Sequence, residues 1–226
     1  TIDSAGSLNN NNGFSICTYT GTGSAGTVKH GLNSVPKVII TKTRSTVDSW
    51  YVYTDTTGNG KRLNLNGTEA EATSSTYWND TSPTSSVFSL NNNSGNNGSS
   101  VTMVAYCFSE KQGFSKFGSY TGNGNADGSY IHLGFSASFI LVKNTASTSN
   151  WELFDNKRPG YNTGHGKLYP NSNSAEDAGQ ERIDILANGF KCRSTNVATN
   201  ESGSTFVYMA FAKAPFVNSN GVPCNA

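Results

Sequence analysis

Charge is scarce in this chain, and what there is nearly cancels: 14% of the 226 residues are Asp, Glu, Lys or Arg, for a formal net charge of +1. No dense Lys/Arg run occurs, so the phosphate-neutralising term that drives DNA or RNA binding has no source, and no nucleic acid is expected as a partner. Long apolar runs are missing too. The longest, such as "VPKVII" and "FILV", fall far short of the roughly 20 residues of a membrane-crossing helix, so no membrane insertion is expected. No basic stretch followed by an apolar one opens the chain, which reads as a mature, soluble protein or fragment. The four cysteines, Cys17, Cys107, Cys192 and Cys224, are widely scattered, with no C-x-x-C pair. That spacing argues against a metal cage and fits small buried thiols, with a Cys17–Cys107 pairing left open. No cofactor is expected.

What is present is a coat of Asn, Ser, Thr and Gly around a modest apolar share of 35%. The apolar segments are short and rich in Val, Ile, Phe, Tyr and Thr: "KVIIT", "WYVYT", "VFSL", "VTMVAYCF", "FILVK", "WELF" and "FVYMAF". Bounded by Gly, Asn and Pro, they read as strands, and no segment sustains helical periodicity over three turns. "TEAEATSSTYW" (68–78) and "SAEDAGQERIDIL" (174–186) could each carry a turn or two of helix behind a capping Thr or Ser.

The segments come in two sets. "GFSICTYTGTG" (13–23) recurs as "GFSKFGSYTGNG" (113–124), and "KVIITKTRSTVDSWYVYTD" (37–55) as "SFILVKNTASTSNWELFDN" (138–156), which aligns Ile39 with Ile140, Lys42 with Lys143 and Trp50 with Trp151. We read this as a tandem duplication. The expected fold is all-β, two tandem antiparallel β-sandwich repeats with at most one short helical crossing each; the alternative is one large lectin-like sandwich built from two halves. The expected boundaries are 1–12 as an N-terminal linker or arm, 13–111 and 112–216 as the repeats, and 217–226 as a tail. "NNNSGNNGSS" (91–100) reads as a floppy hairpin tip.

Several motifs weaken on inspection. "YTGTGSAG" (19–26) has the G-x-G-x-x-G spacing of a dinucleotide turn, but Gly31 and Pro36 follow where a helix is required. Its counterpart "YTGNGNADG" keeps Tyr-Thr-Gly and puts Asp127 at the third glycine, so both read as strand-ending turns. "NGNADG" (123–128) opens like a calcium loop but has Gly134 where a bidentate Glu is needed. Serine chemistry has no G-x-S-x-G elbow, and His30, His132 and His165 lie in no shared motif. Glu69, Glu71, Asp80, Glu176, Asp177 and Glu181 could supply a glycosidase pair but read as solvated. Trp50 and Trp151 read as core or inter-sheet anchors.

Two places remain for partner contact. Tyr77 and Trp78, without aromatic counterparts in the second repeat, could present a stacking face beside Asn79 and Asp80, as a sugar ring requires. The second repeat carries its own insertion, "DNKRPGYNTGHGKLYP" (155–170), with Arg158, Tyr161, Asn162 and His165 in a Gly/Pro-rich loop.

The strings "VPKVIITK", "TSSTYWNDTSPTSSVFSL", "MVAYCF", "GFSKFGSYTGNG" and "YMAFAKAPF" resemble a tandem-repeat domain of uncharacterised structural proteins in marine and cyanobacterial tailed phages. The resemblance spans Gly13 to Phe216. It implies a virion location; together with the duplicated β pattern, the neutral polar coat, the Tyr77/Trp78 patch and the second-repeat insertion, the expectation is a non-enzymatic virion surface protein, homo-oligomeric, with other virion proteins and a host-surface glycan as partners, in tail-fibre-type attachment. Capsid decoration is the alternative it leaves open, with a polysaccharide-degrading enzyme behind that. It carries over no catalytic residues.

Overall fold

The computed structural model of the chain describes residues 1–158 and 166–214. The chain divides into two compact units, the first Thr1–Gly67 and Glu71–Glu110, the second Thr68–Ala70 and Lys111–Ala226. Each has its own core. Among the described residues, no helix is long and apolar enough to cross a membrane.

In the first unit, β1 (Ser4–Asn9), β2 (Phe14–Thr20), β9 (Thr102–Phe108), β4 (Val38–Thr43), β5 (Tyr51–Thr54), β6 (Lys61–Asn64) and β7 (Ala72–Thr73) lie side by side in that order. A second sheet pairs β3 (Gly26–Lys29) with β8 (Val87–Leu90). All strand pairs are antiparallel. The alternation in "FSICTYT" turns Ser15, Cys17 and Tyr19 inward, opposite Cys107, Ala105 and Met103 of β9. Tyr19, Ile39, Tyr53, Met103 and Ala105 of the large sheet then pack with Val28, Phe88 and Leu90 of the small one, giving a sandwich core.

Residues 1–12 are not a linker. Ile2 is buried in that core, its backbone N–H donates to Thr27 O at 2.7 Å, and β1 zips along β2 from Ser4–Tyr19 to Asn9–Phe14. Its polar look follows from its being an edge strand exposed along most of its length. Residues 91–100 are not floppy either. They hold α2 (Ser94–Asn97), one helical turn capped by the Asn93 side chain, with Asn96 and Asn97 fully buried. The expected helix in 68–78 forms as α1 (Ser75–Trp78), capped by Ser74.

In the second unit, β10 (Ser115–Thr121), β17 (Thr205–Ala212), β12 (Ala137–Asn144), β13 (Glu152–Asp155) and β14 (Lys167–Leu168) form a five-stranded sheet. β11 (Tyr130–His132), β16 (Gly189–Cys192) and β15 (Ile183–Leu186) form a three-stranded one. Ile140, Val142, Phe154, Phe206 and Tyr208 of the first sheet meet Ile131, Ile183, Ile185 and Phe190 of the second. The helix expected in 174–186 does not form: Asp177 bridges Lys167 and Ile183–Leu186 is β15, because alternating Ile183 and Ile185 face a core that extended chain can reach.

The same bonds recur in both units. Tyr19 Oη donates to Asn96 O at 2.7 Å, and Tyr120 Oη to Thr199 O at 2.6 Å. Asn97 Oδ1 accepts from Thr22 N at 2.9 Å, and Asn200 Oδ1 from Asn123 N at 3.0 Å. Trp50 N donates to Asn66 Oδ1 and Trp151 N to Asn171 Oδ1. A Cβ on Gly21 would lie 2.3 Å from Gly98 O, and one on Gly122 2.2 Å from Glu201 O, so the second glycine turn of each unit has no room for a side chain. Gly23 and Gly124, at φ 69° and 65°, make the turn itself.

Candidate functional site

The position expected to hold a sugar-stacking face is interior. Tyr77 and Trp78 are 7% and 2% exposed. α1 lays their rings against Tyr51 at 4.7 Å and edge-on to Tyr53 at 5.8 Å, so neither face is available to a ligand. Asn79 caps the turn in the left-handed region, and Asp80 follows it there, exposed. Of the two tryptophans expected as core or inter-sheet anchors, Trp151 is buried, 2% exposed. Trp50 is half-buried and stacks on Tyr106 at 6.1 Å, on the sheet face opposite the core residues Ala105 and Cys107.

Of the second-unit insertion, Tyr161, Asn162 and His165 lie outside the described residues. Arg158 is bound on both sides: its Nε donates to Asp155 Oδ2 at 2.8 Å and its Nη1 pairs with Glu176. Beyond it lies a mixed cluster of charges. Lys167, with no side-chain exposure, donates to Asp177 Oδ2 at 2.8 Å, and Tyr169 Oη donates to the same oxygen at 2.9 Å. These bonds, the Lys167 ammonium first, hold the Asp177 carboxyl down at about 2, and burial pushes the Tyr169 hydroxyl up to about 12. Glu152, 2% exposed, belongs to this cluster, yet its Oε2 and the Arg182 Nε are buried without a hydrogen-bond partner among the described residues. Burial pushes the Glu152 carboxyl up to about 7, against the pull of Arg182 and Lys167. Sequence reasoning missed this residue; the signal was an acid in "WELF" where the first repeat has Tyr in "WYVYT".

Two of the other candidate acids are tied to cations, Glu71 to Lys61 and Glu181 to Arg193. "NGNADG" is a chain of side-chain-to-backbone turns, Asn123 Oδ1 accepting from Asn125 N and Asn125 Oδ1 from Asp127 N, with Asp127 paired to Lys191 at 2.5 Å. Among the described residues, no three His, Cys, Asp or Glu are grouped to hold a metal ion. His30 is fully engaged, its Nε2–H donating to Thr84 O and its Nδ1 accepting from Leu32 N; burial lowers its pKa. Cys17, Cys107 and Cys192 are free, buried thiols.

An open concavity lies elsewhere. In the first unit a groove of about 340 Å³ runs over the ends of β1, β2 and β9, lined among others by Asp3, Ser4, Thr18, Thr20, Arg44 and Thr102. Ser4, Thr18, Thr20 and Thr102 bring hydroxyls to its lining beside a carboxylate and a guanidinium, and its volume is at the small end of ligand sites, about 300–1,000 Å³. The register brings these residues together, Ser4 opposite Tyr19, Thr20 opposite Thr102, and Arg44 N donating to Thr102 O at 2.7 Å.

The model of a family described as "Domain of unknown function (DUF7483)" matches residues 1–215. The chain belongs to that family. The match runs from before β1 to beyond β17, so every strand described above lies within it. No curated protein and no solved structure matches the chain. The DUF7483 match therefore assigns no residue a role, and the candidate sites rest on geometry.

Proposed function

We propose that this chain is a non-enzymatic virion surface protein of tail-fibre type that contacts host-surface glycan through the groove of its first unit. The observation that carries the reading is that groove, a shallow depression on a rigid sheet whose lining offers Ser and Thr hydroxyls together with Asp3 and Arg44. A saccharide needs such a dense set of donors and acceptors at modest depth. The neutral Asn/Ser/Thr coat supports the same reading, as does the recurrence of one bond set in both units, which favours a duplicated display scaffold. The virion setting rests on the likeness to phage structural repeats.

A glycan array carrying host-envelope sugars tests the reading, run with the wild type and with Arg44→Ala and Thr102→Val. Binding that falls at least tenfold in both variants supports it. Absence of binding, or binding indifferent to both changes, sinks it. Electron microscopy of the particle separates tail attachment from capsid decoration by location.

A further inference from the structure

Glu152 is the least explained side chain in the molecule. It sits on β13 opposite Val142 of β12, 2% exposed, with Oε2 buried and unpartnered. The groups facing it are the Lys167 ammonium from β14, the Asp177 carboxylate from the bridge beyond β14, the Tyr169 hydroxyl, the Arg182 guanidinium ahead of β15, and the Tyr120 hydroxyl from β10. Lys167 and Tyr169 both serve Asp177, and Tyr120 serves Thr199 O. A buried carboxylate with an oxygen left unpartnered is costly, whereas the neutral acid removes most of that cost.

The edge it lies beside is thin. β14 has two residues, held to β13 through Leu153–Leu168 and Phe154–Lys167. On its other side the bridge to Asp177 consists of two reciprocal backbone bonds, Lys167 N to Asp177 O at 3.0 Å and Asp177 N to Lys167 O at 3.1 Å. We propose that Glu152 is a protonation-operated latch on this edge: as the neutral acid it is tolerated in the interior, and on losing its proton it becomes a buried charge with an unpartnered oxygen that water reaches only when β14 and its bridge open.

The pH window follows by linkage. Glu152 holds its proton more tightly in the closed edge, to about 7, than in open chain, 4.5. The closed edge therefore has its full stability below 4.5 and loses it as pH rises to about 7. Asp177, held at about 2, and Tyr169, raised to about 12, titrate outside that window.

Native-state hydrogen exchange at the Lys167 and Asp177 amides reads the latch directly. After correction for intrinsic exchange, the opening constant is expected to rise about tenfold per pH unit between 4.5 and about 7 and to level off above. Amides of β6 and β7 in the first unit serve as the internal control and stay flat. Glu152→Gln is expected to abolish the slope. A ¹³C NMR titration of the Glu152 carboxyl in the wild type gives a second readout that needs no variant, with an expected midpoint near 7. A wild-type profile without slope, a slope retained in Glu152→Gln, or a carboxyl midpoint at the ordinary 4.5 each overturns the proposal.

Discussion

The same position in the two units is filled by opposite chemistry. Tyr51 of β5 lies opposite Thr41 as Glu152 of β13 lies opposite Val142. In the first unit Tyr51 packs on Tyr77, and Arg62 lies over both rings at 5.5 and 5.0 Å, a cation held by π faces. In the second, Lys167 occupies the place of Arg62 by register, Asp177 that of Ala72, and Arg182 follows Asp177 by the same five residues that separate Tyr77 from Ala72. One backbone frame thus tolerates either an aromatic pair with a cation above it or a charge network around a buried acid. The difference teaches that the frame is fixed elsewhere, by the Asn97 and Asn200 hubs and the Gly21 and Gly122 contacts that do not change between units.

The harshest way to break the comparison is to move the acid across. Tyr51→Glu places a carboxylate among rings and toward Asp48, the acceptor of the Tyr51 hydroxyl, and is expected to cost the first unit about 3–5 kcal/mol by burying a charge against its like. Urea unfolding read by first-unit fluorescence measures it. A loss under about 1 kcal/mol would mean the two environments are interchangeable.

Next come the conserved hubs of the frame, Asn97 and Asn200. The Asn97 Nδ2 donates to Ser24 O and Asn91 O; that of Asn200 donates to Asn123 Oδ1, Asn125 O and Ser194 O. Alanine at either is expected to cost about 2–3 kcal/mol, with Asn200→Ala the worse because it strands more acceptors. Chemical denaturation of the two variants side by side would show whether the order reverses.

A smaller effect separates the units in acid. Asp177, lowered from 3.8 to about 2, contributes stability present above 3.8 and lost as pH falls through about 2. Lys167→Met should flatten that part of the acid-unfolding curve, while the first unit, with Ala72 at the equivalent place, should show no matching limb. An effect on the alkaline side concerns Lys143, fully buried and bonded to Thr68 O and Ser149 O at 3.0 and 2.9 Å. Burial lowers it from 10.5 to about 8, so stability should rise with pH between those values, and Lys143→Met should remove the rise. A denaturant midpoint that moves identically in both proteins over that range would exclude Lys143 as the cause.

Strands announced themselves wherever inward positions carried large apolar groups, as in "KVIIT" or "FVYMAF", because period-two burial is written directly in such residues. β1 escaped notice because an edge strand exposed along most of its length needs little apolar content, the buried Ile2 lying ahead of it. α2 escaped because Asn96 and Asn97 are interior for what their amides bond, a reason composition does not reveal. The Tyr77/Trp78 pair misled for a related cause: lack of aromatic counterparts in the second unit signalled a different core chemistry there, not freedom from the core. The groove was illegible because Asp3, Thr18, Arg44 and Thr102 are far apart in sequence and meet only through register.

The Asn97 hub carries a consequence for the lifetime of the protein. Asn97 is followed by Gly98, the dipeptide in which an asparagine most readily cyclises to succinimide and hydrolyses to an acid. Its amide is wholly buried and tied at both ends, so the reaction waits on exposure, whereas the Asn-Gly pair at Asn12 is open to water. Acid accumulating at residue 97 would therefore keep a chemical tally of how often the first unit has come apart.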